Sequence, residues 1–445
     1  MRLTRSYVIG ALAVALAFAS ASASAQGWLA DRARTEGPGF KVGRFVLHPG
    51  LGIEGGYDSN VFLTEHDQQG SGLLRATAHL NVTTRQGSRA DEGESQTKSP
   101  SKVAFDAGVE GSYYHYFIDQ LGDNADGSAR LSLEFNPDGA VGVRVHDTFQ
   151  REIRPFTEPT LVPVQAVPKY GRNHNVAGLE LRLGSKSGLL VGHIGYNFAF
   201  DIFDDKVFLY TKNFTHSVRG DLSWRFLPST ALIYEFEFDD QDYRDANSGD
   251  GTLVSDNRRV SSRIGLNGAV TDHFSVTGVV GYSAGFYDAA SDFDSVVGRA
   301  EAVWTPRESI KLKTGYLRRF SPSYLGNFVR ENRLYLDGSL LVAGRMLFAA
   351  KTWVSFNKTG IALADTQGMM PAGGFAGDRP TRKDIMVHAS LFTEYRFTDW
   401  IALNATVAYT GDYTDYNFNA ISTPITEPRA QYYKIEAWGG LRVFY

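Results

Sequence analysis

The sequence predicts an all-β protein: a transmembrane, antiparallel, up-and-down β-barrel of about 18 strands in a Gram-negative outer membrane. Three observations lead to this fold class. The N-terminus carries a secretion signal, the body is a meander whose connections alternate between short and long, and the last segment has one apolar and one polar face. Together they indicate the compartment and the architecture, but they leave the transported solute open.

Residues 1–25 have the three-part pattern of a secretory signal peptide. Arg2 and Arg5 give a positive start, Val8 to Phe18 form an apolar core, and Ala23-Ser24-Ala25 is a small-residue cleavage site. The apolar core is too short to cross a bilayer as a helix, which takes about 20 residues, so a retained helical anchor is disfavoured. We therefore expect cleavage before Gln26.

Two regions follow the predicted signal. Residues 26–42 precede the first clear strand and are expected to form a periplasmic N-terminal segment, either a frayed terminus or a contact for the lumen or a partner. Residues 43–445 are expected to form the barrel. One connection, 86–101, is long and polar on the side where short turns are expected, so we predict a disordered segment or a docking segment for an inner partner.

The composition excludes several classes of protein. The net charge is −4, and loss of Arg2 and Arg5 with the signal makes it about −6, which argues against nucleic acid as a partner. The absence of cysteine excludes disulfides, thiolate chemistry and a lipid anchor on cysteine. No apolar run after the signal reaches 18 residues, so a helical membrane protein is not expected.

The body of the chain contains about 18 strand-like segments, each long enough for a tilted membrane strand of ~9–11 residues. Tight turns such as 136–139 and 343–345 alternate with longer polar loops such as 152–172 and 358–382, which are candidates for a constriction or a lid. The even strand count places both termini in the periplasm. The predicted strands are 44–57, 72–85, 102–117, 127–136, 140–151, 173–184, 189–203, 213–227, 231–244, 257–270, 274–287, 295–305, 309–320, 329–342, 346–357, 383–397, 400–412 and 430–445.

The last segment has the pattern of a closing barrel strand. Leu441, Val443 and Tyr445 continue an apolar face, and we take them as the barrel-closure signature. The opposite face carries Lys434, Glu436, Trp438, Arg442 and Phe444. Because side chains alternate across a strand, one face can meet lipid while the other meets a wet lumen.

The predicted inward faces carry charges of both signs. A barrel of ~16–18 strands is wide enough for an aqueous channel, and a mixed lumen suits a neutral or weakly charged hydrophilic solute. The two tryptophans in this set could stack on sugar rings or pack against a plug or an inward loop, and the charges could line the pore or only pair across the wall. The candidate pore-lining residues are Arg144, Arg182, Arg219, Glu235, Glu237, Arg263, Lys311, Lys313, Lys351, Trp353, Glu394, Glu436 and Trp438.

No motif for catalysis or for a cofactor is present. The chain lacks a nucleophile elbow, a phosphate-binding glycine loop and metal-binding histidine pairs, and its ten histidines are scattered. Acidic groups at strand tips, such as Asp239, Asp240 and Asp242, have no recognised ligand spacing and are expected to form a solvated rim. We predict no enzymatic activity, no cofactor and no metal site.

An eight-residue motif links the chain to a known family. Gly55-Gly56-Tyr57-Asp58-Ser59-Asn60-Val61-Phe62 resembles the Gly-x-Tyr-Asp-x-Asn-Val-Phe opening of a family of outer-membrane β-barrel porins, members of which are often linked to exopolysaccharide export. The overall pattern also looks like the integral 18-stranded polysaccharide export porins. Only these eight residues match as a motif; the remainder matches in architecture. The family offers no catalytic residues to carry over.

The resemblance implies a channel that exports a polysaccharide to the cell surface. Two alternatives remain: a general diffusion or nutrient-uptake porin, and a structural outer-membrane anchor of an envelope-spanning complex such as a motility or secretion machine. The expected partners are outer-membrane lipid and lipopolysaccharide, the barrel-assembly machinery, periplasmic export proteins and the polysaccharide itself.

Overall fold

The computed structural model describes residues 37–84, 102–153, 171–185, 188–204, 211–243, 255–288, 292–323, 328–360, 375–377, 381–420 and 429–445. The predicted signal peptide, most of the predicted N-terminal segment, the connection 86–101 and most of the loops 152–172 and 358–382 lie outside these residues. Among the residues described, no helix is long and apolar enough to cross a bilayer.

The described chain is built from strands. They are β1 Phe40–Val42, β2 Phe45–Asp58, β3 Ser71–Thr83, β4 Val103–Tyr116, β5 Asp123–Phe135, β6 Val141–Ile153, β7 Gly171–Leu183, β8 Leu190–Phe203, β9 Asn213–Leu227, β10 Thr230–Tyr243, β11 Asn257–Thr271, β12 Phe274–Tyr287, β13 Phe293–Arg307, β14 Ile310–Pro322, β15 Phe328–Val342, β16 Met346–Gly360, β17 Phe375–Gly377, β18 Thr381–Arg396, β19 Ile401–Thr414, β20 Phe418–Ala420 and β21 Tyr432–Phe444.

The long strands close into one barrel. The main sheet has 19 strands, of which β1 is a three-residue addition to the start of β2, so 18 strands form the wall. Each wall strand pairs antiparallel with the next, and β2 closes the barrel on β21 through nine register pairs from Gly50–Phe444 to Asp58–Glu436. The predicted closed barrel of about 18 strands is therefore confirmed. The short strands β17 and β20 pair with each other as a separate two-stranded sheet.

The two faces of the wall differ as the alternation predicts. On β21, Ile435 and Leu441 are about half exposed on the outer face, while Arg442 and Phe444 are buried on the inner face. The same division holds on β12, where Val280 is 58% exposed and Val279 is 5% exposed. In water such an outer belt of exposed apolar side chains would be unfavourable, so lipid is the solvent that it fits. The chain is an integral outer-membrane barrel.

The two ends of the barrel also differ. The start of β2, the end of β21 and the short connections 136–140 and 343–345 lie at one end, which we call the short-turn end. The opposite end, which we call the long-loop end, carries the other long connections; the connection between β3 and β4 is the exception, because it is long but joins these strands at the short-turn end. At the short-turn end, Asn136 and Ala343 have positive φ angles of 51° and 50°, as tight reversals between antiparallel strands require.

Several strands continue beyond their predicted ends. β5 begins at Asp123 rather than at 127, because Asp123 to Asp126 pair with β4 although they lack apolar alternation. β16 likewise continues to Gly360, which pairs with both neighbouring strands. These extensions lie at the long-loop end. Main-chain pairing persists there beyond the apolar belt, so side-chain alternation alone underestimates the strand length.

A pair of valines on one strand tests the lipid-facing assignment. We expect Val280→Arg, in the middle of β12, to lower the free energy of unfolding by about 2–4 kcal/mol, since a cation there meets hydrocarbon. Val276→Arg, four residues nearer the short-turn end on the same face, should cost only about 0–1 kcal/mol. Urea unfolding of the refolded barrel in lipid vesicles measures both. Equal costs would contradict the assignment.

Candidate functional site

The candidate site is the inner face of the barrel, which we call the interior wall. It consists of the side chains that alternate with the lipid-facing ones, and it is largely charged. The charges are placed by register: carboxylates on one strand lie next to guanidinium groups on the neighbouring strands. Most of the predicted pore-lining residues take part in these contacts.

Glu237 is the centre of one group of contacts on the interior wall. It is opposite Arg219 on β9 in register, and Arg219 Nη2 lies 3.1 Å from Glu237 Oε1. From β11, Arg259 and Arg263 approach the same carboxylate at 3.3 and 3.7 Å. Arg259 also donates through Nε to Asp239 at 2.9 Å. The Glu237 carboxylate thus partly compensates the positive charges of three arginines on the two flanking strands.

Glu235 extends this group along the wall. Arg263 Nε lies 3.0 Å from Glu235, and Arg299 on β13 donates to the other carboxylate oxygen at 2.7 Å. Arg299 reaches Glu235 across two intervening strands. The Arg263 side chain can lie flat against the wall because its neighbour on β12 is Gly281. A Cβ atom on Gly281 would lie 2.6 Å from Arg263 Cγ. The arginine side chains therefore lie along the wall.

A second group of contacts covers β13 to β16. Lys313 Nζ lies 3.1 Å from Glu301, and the Tyr335 hydroxyl donates to the same carboxylate at 2.6 Å. Further along, Glu331 accepts from Arg319 and Arg333, and Ser355 donates to it at 3.0 Å. These strands resemble β9 to β11, because acids on one strand again lie next to basic or hydroxyl groups on the neighbouring strands.

Arg182 has a local structural role. Its guanidinium group donates to the main-chain carbonyls of Asn136, Pro137, Gly139 and Gly184 at 2.6 to 3.0 Å. These carbonyls belong to two reversals at the short-turn end. Although predicted to line the pore, this arginine is 5% exposed and its donors are directed at the turns.

Other predicted residues differ in how closely they are paired. Arg144 lies 4.0 Å from Glu180, Lys351 is opposite Asp337 in register, and Lys311 is exposed near the short-turn end. Glu436 lies 3.1 Å from Lys434. Glu394 is buried and accepts from Arg442 and from Arg396. That these residues line a conducting pore stays a prediction.

The two predicted tryptophans are packed against the wall. The Arg75 guanidinium carbon lies 4.1 Å from the centre of the Trp438 ring, and a Cβ at Gly56 would lie 2.5 Å from the ring atoms. The Trp353 ring has Arg333 at 4.4 Å and the His388 ring stacked at 5.5 Å. These cation–π contacts occupy faces of the two tryptophan rings on which a sugar ring would otherwise stack.

Two buried ion-pair groups were missed by the sequence reasoning. Glu54 on β2 accepts from Arg75 Nε at 2.8 Å, and both side chains are at most 3% exposed. Arg382 on β18 donates to Asp384 at 2.6 Å and to Asp412 on β19 at 2.9 Å. The signal that could have revealed the second group is the spacing of Arg382 and Asp384, since residues i and i+2 share one face of a strand.

The eight-residue motif lies at the barrel closure. Asn60 is fully buried; its side chain donates to the carbonyls of Thr64 at 2.7 Å and Tyr433 at 2.9 Å, and accepts from the Thr64 amide at 3.0 Å. The Asp58 carboxylate accepts a hydrogen bond from Lys434 Nζ at 3.2 Å. The polar residues of the motif thus tie the end of β2 to the start of β21, which gives them a structural role.

Much of the charge on the interior wall is compensated locally, since acids such as Glu235 and Glu237 lie within ion-pair distance of arginines. Within the described ranges, no group of three or more His, Asp or Glu side chains is arranged to hold a metal ion.

No family model matches the chain, and no curated protein matches it either. Its fold is similar to several solved barrels. The outer membrane protein OpdK of Pseudomonas aeruginosa is 9% identical with a TM-score of 0.46, covering 90% of this chain and 99% of that one. The FrpB iron transporter of Neisseria meningitidis is 10% identical with a TM-score of 0.47, covering 95% and 83%. The siderophore receptor PirA of Pseudomonas aeruginosa is 9% identical with a TM-score of 0.40, covering 90% and 80%.

Removal of the Asn60 side chain tests the structural role of the motif. We expect Asn60→Ala to lower the free energy of unfolding by about 2–4 kcal/mol, because it leaves buried main-chain groups without partners. Gln68→Ala in the same loop removes one part-buried bond of 3.4 Å and should cost less than about 1 kcal/mol. Denaturant unfolding compares the two variants, and similar midpoints would contradict the role.

Glu237 tests the compensation of the interior charges. We expect Glu237→Gln to shift ion selectivity toward anions, because three arginines lose a shared counter-charge. The measurement is the reversal potential of the reconstituted barrel in a potassium chloride gradient. Asp240→Asn, which removes an outward carboxylate paired with Arg258, is the control and should leave the potential unchanged. An unchanged potential in Glu237→Gln would show that this group does not face the ion path.

Proposed function

We propose that the protein is a passive channel through which neutral or weakly charged hydrophilic solutes cross the outer membrane, as in a diffusion or nutrient-uptake porin. The observation that carries the proposal is the charge compensation of the interior wall, in which acids such as Glu235 and Glu237 are each shared between arginines. An 18-stranded wall encloses enough space for an aqueous path. Strong selection by charge would need an excess of one sign, as in the charged rings of selective pores.

The same proposal includes the orientation of the barrel. Outer-membrane barrels have short periplasmic turns and longer outer loops. The short-turn end, with both described chain ends, is therefore assigned to the periplasm, and the long-loop end to the cell surface.

Export of a polysaccharide is the second candidate. It is favoured by the resemblance of Gly55 to Phe62 to the family linked with exopolysaccharide export. Two observations weigh against it: the buried residues of the motif hold the barrel closed, and the rings of Trp353 and Trp438 are in contact with arginines. Polysaccharide passage would also require handover by periplasmic export proteins.

Solute flux into vesicles tests the first candidate. Liposomes that contain the refolded barrel should swell in isotonic mono- and disaccharides at rates that fall with solute size, and should differ little between neutral and singly charged sugars. Liposomes that contain the heat-unfolded protein provide the background. Absence of swelling, together with absence of ion conductance in planar bilayers, would overturn the proposal.

Deletion of the gene separates the two candidates. A diffusion channel predicts unchanged surface and secreted polysaccharide but slower growth on a limiting hydrophilic nutrient. Loss of one polymer, with precursor accumulating in the periplasm, would favour the export channel instead.

A further inference from the structure

Three basic residues stand side by side on the outer face of the barrel at its long-loop end. Arg330 on β15 is paired in register with Lys358 on β16, and Lys358 is paired with Lys383 on β18. Cβ atoms of residues directly opposite on neighbouring strands lie roughly 5 Å apart, so the three side chains start close together. We call these three residues the basic row.

The basic row lies on the lipid-facing side of the wall. The next residues along two of its strands, Glu331 and Arg382, are buried at 3% and 1% exposure on the inner face. Two positions nearer the short-turn end on the outer face are Phe356 and Ile385, which are 47% and 44% exposed and paired in register. The cations thus follow directly after the apolar belt, at the level where lipid head groups begin.

The basic row has no ion pair within the part of the protein that the structure describes; the nearest acid along the register is the exposed Asp415, which follows Thr414 on β19. None of the three side chains forms an ion pair with a described carboxylate, and Arg330 Nε is buried without a hydrogen-bond partner. The outward Arg258 on β11 differs, because it lies 3.3 Å from Asp240. Like charges opposite each other on adjacent strands destabilise a sheet, so an external anion would relieve the repulsion.

We propose that the basic row binds the phosphate groups of the outer-leaflet glycolipid, lipopolysaccharide. The inference rests on the orientation stated under the proposed function, with the long loops at the cell surface. A phosphorylated head group supplies negative charge at this level, and lysine and arginine both bind phosphate oxygens. The acyl chains of the same lipid would pack on Phe356 and Ile385, so three neighbouring strands form one lipid site.

Lipid binding to the purified, delipidated barrel in detergent tests this proposal. The probes are lipid A with two phosphates, lipid A with none, and inorganic phosphate, each titrated and followed by native mass spectrometry. We expect the bisphosphorylated lipid to bind most tightly. Each basic residue near an anionic lipid surface strengthens binding roughly fivefold, so the triple variant Arg330→Gln, Lys358→Gln, Lys383→Gln should bind roughly 100-fold more weakly. The matched control Arg258→Gln should bind within about twofold of the wild type.

Three results would overturn the lipid site. They are equal affinity in the triple variant, equal affinity for lipid A without phosphates, and binding of inorganic phosphate as tight as that of the lipid, which would indicate a free-phosphate site. If the triple variant does not fold, the single variants Lys358→Gln and Lys383→Gln test the lipid site instead. Each is expected to bind bisphosphorylated lipid A roughly fivefold more weakly than the wild type. Because no transport is measured, a barrel that binds the lipid but does not conduct overturns only the proposed function.

Discussion

Closure of the main-chain hydrogen bonding is the constraint on which the rest of this structure depends. An unpaired N–H or C=O group in hydrocarbon costs several kcal/mol, so a sheet in a membrane cannot keep a free edge. Here β2 and β21, at opposite ends of the sequence, supply the last seam through nine register pairs. Asn60 and Asp58 add side-chain bonds to that seam at the long-loop end. The motif that resembles the export family is thus explained by the need to close the barrel.

Closure has a direct consequence for the interior. Once the strands are in register, every second residue faces the lumen, and its neighbours on adjacent strands are set. Arginines and acids at those positions are then brought within ion-pair distance, as Glu235 is with Arg263 and Arg299. Such pairs gain little in water, but on a wall that is held rigid by the sheet they need less ordering. The result is a hydrophilic surface with small net charge, on which the proposed channel function rests.

The outer face follows a different rule. Lipid excludes charge from the apolar belt, so cations are confined to its ends, where they reach the head groups. Arg258 has a protein partner there, whereas Arg330, Lys358 and Lys383 are aligned by register next to one another. Strand register thus places three cations together at the long-loop end of the outer face. The proposed lipid contact rests on this arrangement.

The sequence by itself determined the fold class, the strand count and the faces of the strands, because a period of two is local and can be recognised without partners. The alternation on β21 and the polar phase of Glu235, Glu237 and Arg263 are examples. Only the tertiary structure decided which residues meet: Glu54 with Arg75, Arg382 with Asp412, and Arg75 over Trp438. Register between strands depends on closing the whole barrel, so these partners, and the row formed by Arg330, Lys358 and Lys383, are not encoded in any single segment.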